Sequence, residues 1–134
     1  MADNAQLIRS RELYGGVPYA YAATAPADAR LVHLAGACPL NADGSTAAVG
    51  DYEGQTLTCL ENLRIALGDA GAELTDVVFL RVLVASNRQQ DLSAAWATVR
   101  TAFGDHDAPG TLFGVTVLGW PDQLVEIEAI AAVR

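Results

Sequence analysis

Residues Val77 to Val84 read Val-Val-Phe-Leu-Arg-Val-Leu-Val, an apolar and largely β-branched run broken by one charge, Arg81. The run is short for a helix, and its composition is that of a strand covered on both faces. By strict alternation Val78, Leu80, Val82 and Val84 go to one side, and Val77, Phe79 and Leu83 to the other. The rest of the chain has to provide that cover. With 134 residues there is enough for one domain over 1–134 and too little for two, so the cover is scarce.

The flanking pattern supplies two helices. From Asp51, an N-cap residue, Leu57, Leu60, Leu63 and Leu67 recur at three- and four-residue spacing on one stripe, and Gly71 ends the segment. A second helix from Asp91 to Phe103 buries Leu92, Ala95, Trp96, Val99 and Phe103 and stops at Gly104. Strands are expected at Val17 to Ala23 and Arg30 to Leu34, joined as a hairpin through Pro26 and Asp28, and at Thr111 to Leu118 and Leu124 to Val133. The expected class is α+β in two layers: a mixed sheet of five to six strands with two helices on one face. A sheet of that size is about 25 Å wide, and two helices of about 10 Å cover one face only. The other face is left apolar, which predicts a homo-oligomer that buries it.

Charge narrows the chemistry. The eight basic residues are all arginine, so Schiff-base chemistry, pyridoxal-phosphate attachment and the lysine of a phosphate-binding loop are excluded. A net charge of -8 repels phosphate backbones, and with no aromatic-basic stripe it argues against nucleic acid as a partner. No apolar stretch is long enough to span a bilayer, and Met1 to Glu12 lacks the pattern of a secretory or transit leader, so a cytoplasmic protein is expected. Cys38 and Cys59 are then read as thiols and not as a disulfide. His33 and His106 lack metal-site spacing, and no glycine pattern indicates a nucleotide cofactor, so no cofactor and no metal are expected.

Glu126 and Glu128 stand two apart on the last strand, with Ile127 and Ala129 turned the other way. Both carboxylates leave one face, their Cα atoms about 6.5–7 Å apart, among Leu124, Ile130 and Ala132. Desolvation there should raise at least one pKa, as a general acid/base needs. The pattern also fits an edge strand that turns its acids outward against aggregation.

The segment Leu124-Val125-Glu126-Ile127-Glu128-Ala129-Ile130-Ala131 closely resembles the C-terminal signature of the RidA/YjgF family of reactive-intermediate (imine) deaminases. Pro18-Tyr19, Ala35-Gly36-Ala37-Cys38-Pro39, Gln55 and Leu60-Glu61-Asn62 extend the resemblance over most of the chain. It implies a chorismate-mutase-like subunit, a homotrimer, and small-molecule pockets in the clefts between subunits. It also implies Glu126 and Tyr19 as catalytic residues, and Thr111, Phe113, Ala35, Gly36, Cys38, Trp96 and Trp120 as substrate-binding positions.

The departures from the family pattern matter as much. Where the family carries a carboxylate-gripping arginine after Pro-Ala, this chain has Pro109-Gly110-Thr111. Threonine gives one neutral hydrogen bond in place of a bidentate, charge-assisted grip, so efficient deamination of 2-aminoacrylate-type imines is disfavoured. Ala35 replaces a serine, Phe113 a cysteine and Trp96 an asparagine, which trades polar groups for bulk. Trp96 also fits plain core, at helical spacing with Leu92 and Val99, whereas Trp120 in its Gly-Trp-Pro turn fits a rim. Arg81 fits either a carboxylate pair across an oligomer interface or a substitute anchor. The resulting expectation is an imine, enamine or enol-like hydrolase, lyase or cyclase, with a non-catalytic ligand-binding protein of the same fold as the alternative.

Overall fold

The computed structural model describes residues 5–134; Met1 to Asn4, part of the N-terminal segment read above, lie outside them. Two helices cross one face of a four-stranded sheet, and a two-stranded ribbon stands beside it. The ribbon pairs β1 (Gln6–Ile8) with β2 (Ala22–Thr24), antiparallel. The main sheet is ordered β3 (Arg30–His33), β6 (Val125–Val133), β4 (Val77–Ala85), β5 (Gly110–Val115). Only β4 and β5 run parallel. Helix α2 (Gln89–Phe103) is the crossover that a parallel pair requires, and α1 (Tyr52–Asp69) packs beside it. Among the described residues no helix is long and apolar enough to cross a membrane.

Helix α1 starts where Asp51, in extended conformation, accepts a hydrogen bond from the Gly54 backbone N–H at 3.0 Å. It ends ahead of Gly71, whose φ of 81° only glycine adopts without strain. The buried stripe is Thr56, Cys59, Leu60, Leu63 and Leu67. Leu57 is not in it: at 100° per residue it lies 120° around the helix from Leu63 and is 54% exposed, which corrects the sequence expectation. Leu63 and Leu67 are fully buried, each contributing about 1.5–3 kcal/mol of hydrophobic free energy.

Three further expectations are corrected. The Val17 to Ala23 strand shrinks to β2, and its partner is β1, so the expected hairpin with β3 does not form. Short apolar segments do not specify their partner, because pairing depends on register and burial decided elsewhere. In β4 a register irregularity between Val77 and Phe79 breaks strict alternation. Val77 therefore joins Leu80, Val82 and Val84 in the buried core beneath the helices, while Val78 is only half-buried.

The helix-covered face of the sheet is the core: Val32, Leu80, Val82, Val84, Val125, Ile127, Ala129 and Ala131 meet Leu60, Leu63, Leu67, Ala95, Val99 and Phe103. The opposite face carries Leu31 and His33 of β3, Glu126, Glu128 and Ile130 of β6, Phe79, Arg81 and Leu83 of β4, and Thr111 and Phe113 of β5. Leu31 is 57% and Phe113 39% exposed there.

Candidate active site

Glu126 is placed by β6 and by two loops that α1 holds down. After β3 the chain follows β6: Leu34 N–H bonds to Ala129 C=O and Ala37 exchanges hydrogen bonds with Ile127, so Ala35 and Gly36 bridge the interval between them. The Asn62 side chain on α1 donates to the carbonyls of Cys38 (2.9 Å) and Leu40 (3.0 Å) and pins that loop. Gln55, two turns earlier on the same helical face and fully buried, donates to Asp122 C=O (2.9 Å) and accepts from Leu124 N–H (2.7 Å), pinning the loop that leads into β6. The two polar residues of α1 thus set both walls of the site.

Between those walls the Glu126 carboxylate is fully engaged on one oxygen. Its Oε1 accepts from Gln123 Nε2 at 3.0 Å and from the Cys38 thiol at 3.3 Å. Its Oε2 lies over Gly36, where a Cβ would come within 2.1 Å of it. Gln123 is itself fixed, since Nε2 also donates to Val125 C=O and Oε1 accepts from the Trp120 backbone N–H. The Cys38 thiol is pushed up from 9.0 to about 11, first by burial and then by the hydrogen bond and charge of Glu126, against hydrogen bonds from Gln123 and Trp120. It is therefore a neutral donor to Glu126 at physiological pH. Cys59, buried behind it, is a second free thiol, also raised mainly by burial.

The neighbouring rows of this face follow from register. Leu83 stands between Glu126 and Phe113, and Arg81 between Glu128 and Thr111. Arg81 Nε pairs with Glu128 Oε1 on the adjacent strand of the same chain.

The residues expected to form one pocket are thus divided. Gly36, Cys38, Trp120 and Glu126 come together, with Ala35 beside them; Thr111 and Phe113 share the face two strands away. Tyr19 and Trp96 stand elsewhere. Tyr19 is held at the start of β5, with Arg9 donating to its carbonyl and Ala20 N–H to Asp107 C=O. Its ring meets Tyr21 (5.9 Å between centroids) and, edge-on, Trp96 on α2 (6.4 Å). Among the described residues Tyr19 and Glu126 share no hydrogen bond or ring contact within one chain. Gln123 was missed from sequence, because a polar residue just past Pro121 and Asp122 reads only as turn chemistry. No group of three or more His, Cys, Asp or Glu is arranged to hold a metal among the described residues.

The model of the family described as endoribonuclease L-PSP matches residues 14–133, nearly the whole chain. The chain belongs to the RidA/YjgF family. A Rid-family protein of unknown function from Yersinia pestis, YyfB, is 32% identical, with 97% of this chain and 99% of that one covered and a TM-score of 0.87. Rv2704 of Mycobacterium tuberculosis, from the YjgF/YER057c/UK114 family, is also 32% identical over 96% and 99% of the two chains, with a TM-score of 0.64. RidA from an Antarctic Psychrobacter, at 18% identity and a TM-score of 0.70 over 96% and 99%, shares the fold. No curated protein matches. The RidA/YjgF fold of these neighbours is the chorismate-mutase-like α+β arrangement expected from the sequence.

Proposed function

We propose that this RidA/YjgF protein is a homotrimeric enzyme that acts on a small imine, enamine or enol-like intermediate in clefts between subunits, with Glu126 as acid/base. The observation that carries this reading is the seating of Glu126, one oxygen fixed by Gln123 and Cys38 and the other set over a residue without a side chain. A carboxylate so oriented suits proton transfer in a preorganised site. In imine hydrolysis Glu126 takes a proton from water as the oxygen adds to the C=N carbon and the nitrogen is protonated. The C–N bond then breaks, the amine leaves, and the hydroxyl proton is given up as the carbonyl forms.

Tyr19 fits the reading when a neighbouring subunit supplies it, because its position at the β5 edge leaves it without contact to Glu126 of its own chain. The exposed Leu31 and Phe113 on the sheet face away from the helices support an assembly that covers it. Net charge of -8 weighs against RNA, so the endoribonuclease description of the family model is not carried to this chain.

The test is a coupled assay of imines generated from a panel of amino acids. Wild-type protein accelerates hydrolysis of at least one, slowly where the imine is small and carboxylate-bearing. Glu126→Gln lowers kcat by about 10²–10⁴ while the fold persists. Absence of turnover in the wild type, with ligand affinity unchanged in Glu126→Gln, would leave the non-catalytic ligand-binding reading in its place.

A further inference from the structure

Gln123 is 5% exposed, and both polar atoms of its side chain are engaged. Its Nε2 donates to Glu126 Oε1 at 3.0 Å and to Val125 C=O at 3.1 Å, while its Oε1 accepts from the Trp120 backbone N–H at 3.0 Å. Turning the amide over would set its oxygen against two acceptors and its NH2 against a donor, so the orientation is fixed. The turn that carries it is fixed as well. Thr46 donates to Pro121 C=O, Gln55 to Asp122 C=O, and the Gln123 backbone N–H to Trp120 C=O. These bonds hold Asp122 at a φ of 59°, a left-handed conformation uncommon outside glycine that persists only where the surroundings impose it.

The two oxygens of Glu126 are therefore unequal. Oε1 takes two donors, the Gln123 amide and the Cys38 thiol, which occupy its lone pairs. Oε2 accepts no hydrogen bond among the described residues. Since no buried side-chain oxygen among them is left without a partner, Oε2 is reached by solvent above Gly36. Gln123 and Trp120 also donate to the Cys38 sulfur, which ties the thiol into the same cluster.

We propose that Gln123 is the positioning residue of Glu126: its amide takes Oε1 out of the reaction and presents Oε2 as the one oxygen that exchanges a proton with ligand or water. The terminal torsion of a glutamate is soft, so a free carboxylate can turn either oxygen toward a substrate. The clamp removes that freedom before the ligand arrives, which is what a preorganised site requires. Gln123 acts through Glu126 and not on the ligand itself. The proposal rests on the preceding reading only in taking Glu126 as the reacting group.

The test uses the full-length protein and the imines that an amino-acid oxidase makes from leucine and phenylalanine. Gln123→Met, close in volume but without donors, is expected to lower kcat at least tenfold while KM stays within about twofold. Gln123→Glu keeps an acceptor for the Trp120 N–H and replaces the donor to Glu126 with a second carboxylate oxygen. It should be as slow at about pH 8 and recover as pH falls, because a proton shared by the two carboxylates restores the donor, whereas the wild type shows no such recovery. The other titratable and charged groups around the pair are the Cys38 thiol, Cys59 of α1, Asp122 of the turn, and Glu128 of β6 with its partner Arg81 of β4, and all are unchanged in this variant. A spectroscopic arm needs no substitution at position 123 and covers the case in which those variants fail to fold. In nuclear magnetic resonance spectra of the wild type both Gln123 Nε2 protons should exchange slowly, and Glu126→Ala should release one of the two. Unchanged kcat in Gln123→Met, equal loss in Gln123→Glu at every pH, or fast exchange of both protons would each overturn the clamp. The two readings fail separately. Without imine turnover the enzyme reading falls and the proton signature alone decides the clamp, whereas turnover that needs Glu126 but survives Gln123→Met keeps the enzyme and removes the clamp.

Discussion

Glu126 Oε2 stands 2.1 Å from where a Cβ on residue 36 would be built, with Cδ at 2.7 Å and Cγ at 2.9 Å. The close approach reserves position 36 for glycine through the carboxylate and not through backbone conformation. Gly36→Ala is therefore expected to swing the Glu126 side chain off its contacts with Cys38 and Gln123 while leaving the sheet intact. Circular dichroism and melting should change little, and Glu126-dependent turnover or ligand affinity should fall at least tenfold. Full activity in Gly36→Ala would mean that this orientation is not the working one.

Cys38 reports on the same carboxylate. Its thiol titrates near 11 instead of 9.0, so at pH 8 the thiolate is about a hundredfold scarcer than for a free thiol, and iodoacetamide should react slowly with the folded protein. Glu126→Gln removes a raising hydrogen bond and a raising charge but leaves burial, the larger cause. Alkylation should then speed up and its pH profile move down part of the way. Between pH 9.0 and about 11 the folded state holds this proton while the unfolded state releases it. Stability against urea should accordingly fall as pH rises through that window.

The two leucines of α1 separate the observed stripe from the expected one. Leu63 is fully buried and Leu57 is 54% exposed. Leu63→Ala should cost about 2–5 kcal/mol in denaturant unfolding. Leu57→Ala should stay within about 0.5 kcal/mol if solvent faces it in the native assembly.

Leu31, 57% exposed on the sheet face away from the helices, tests whether that face is covered in solution. Light scattering should give a trimer for the wild type and a smaller species for Leu31→Glu, since a buried unpaired carboxylate at an interface is strongly unfavourable. An unaltered mass in Leu31→Glu, or a wild-type monomer at micromolar concentration, would contradict the assembly.

Much of this fold is legible along the chain where local chemistry is strong. Asp51 and Gly71 bracket α1, Gly104 follows α2, and alternation at Glu126 and Glu128 sets both acids on one face, all as read from sequence. The site is less legible because its parts come from distant positions. Cys38 reaches Glu126 across 88 positions, and nothing near Cys38 in the chain announces the carboxylate. Gln123 sits only three residues from Glu126, yet its role depends on the backbone of Trp120 and Val125 turning its amide inward. Trp96 satisfies helical spacing and packs with Tyr19, a pairing that needs the 17–20 segment placed against the loop before β5.

The sequence by itself determined the element types, the two-helix cover, the carboxylate pair on one face and the family, because periodicity, caps and short motifs are local. Tertiary structure alone decided that β2 pairs with β1, that Val77 slips into the core through an irregularity in β4, that Arg81 takes Glu128 within its own chain, and that Glu126 faces Gly36, Cys38 and Gln123. The reason is physical. Strand partnership and side-chain pairing are settled by which register buries the most apolar surface while satisfying every polar group, and that balance is struck over the whole fold.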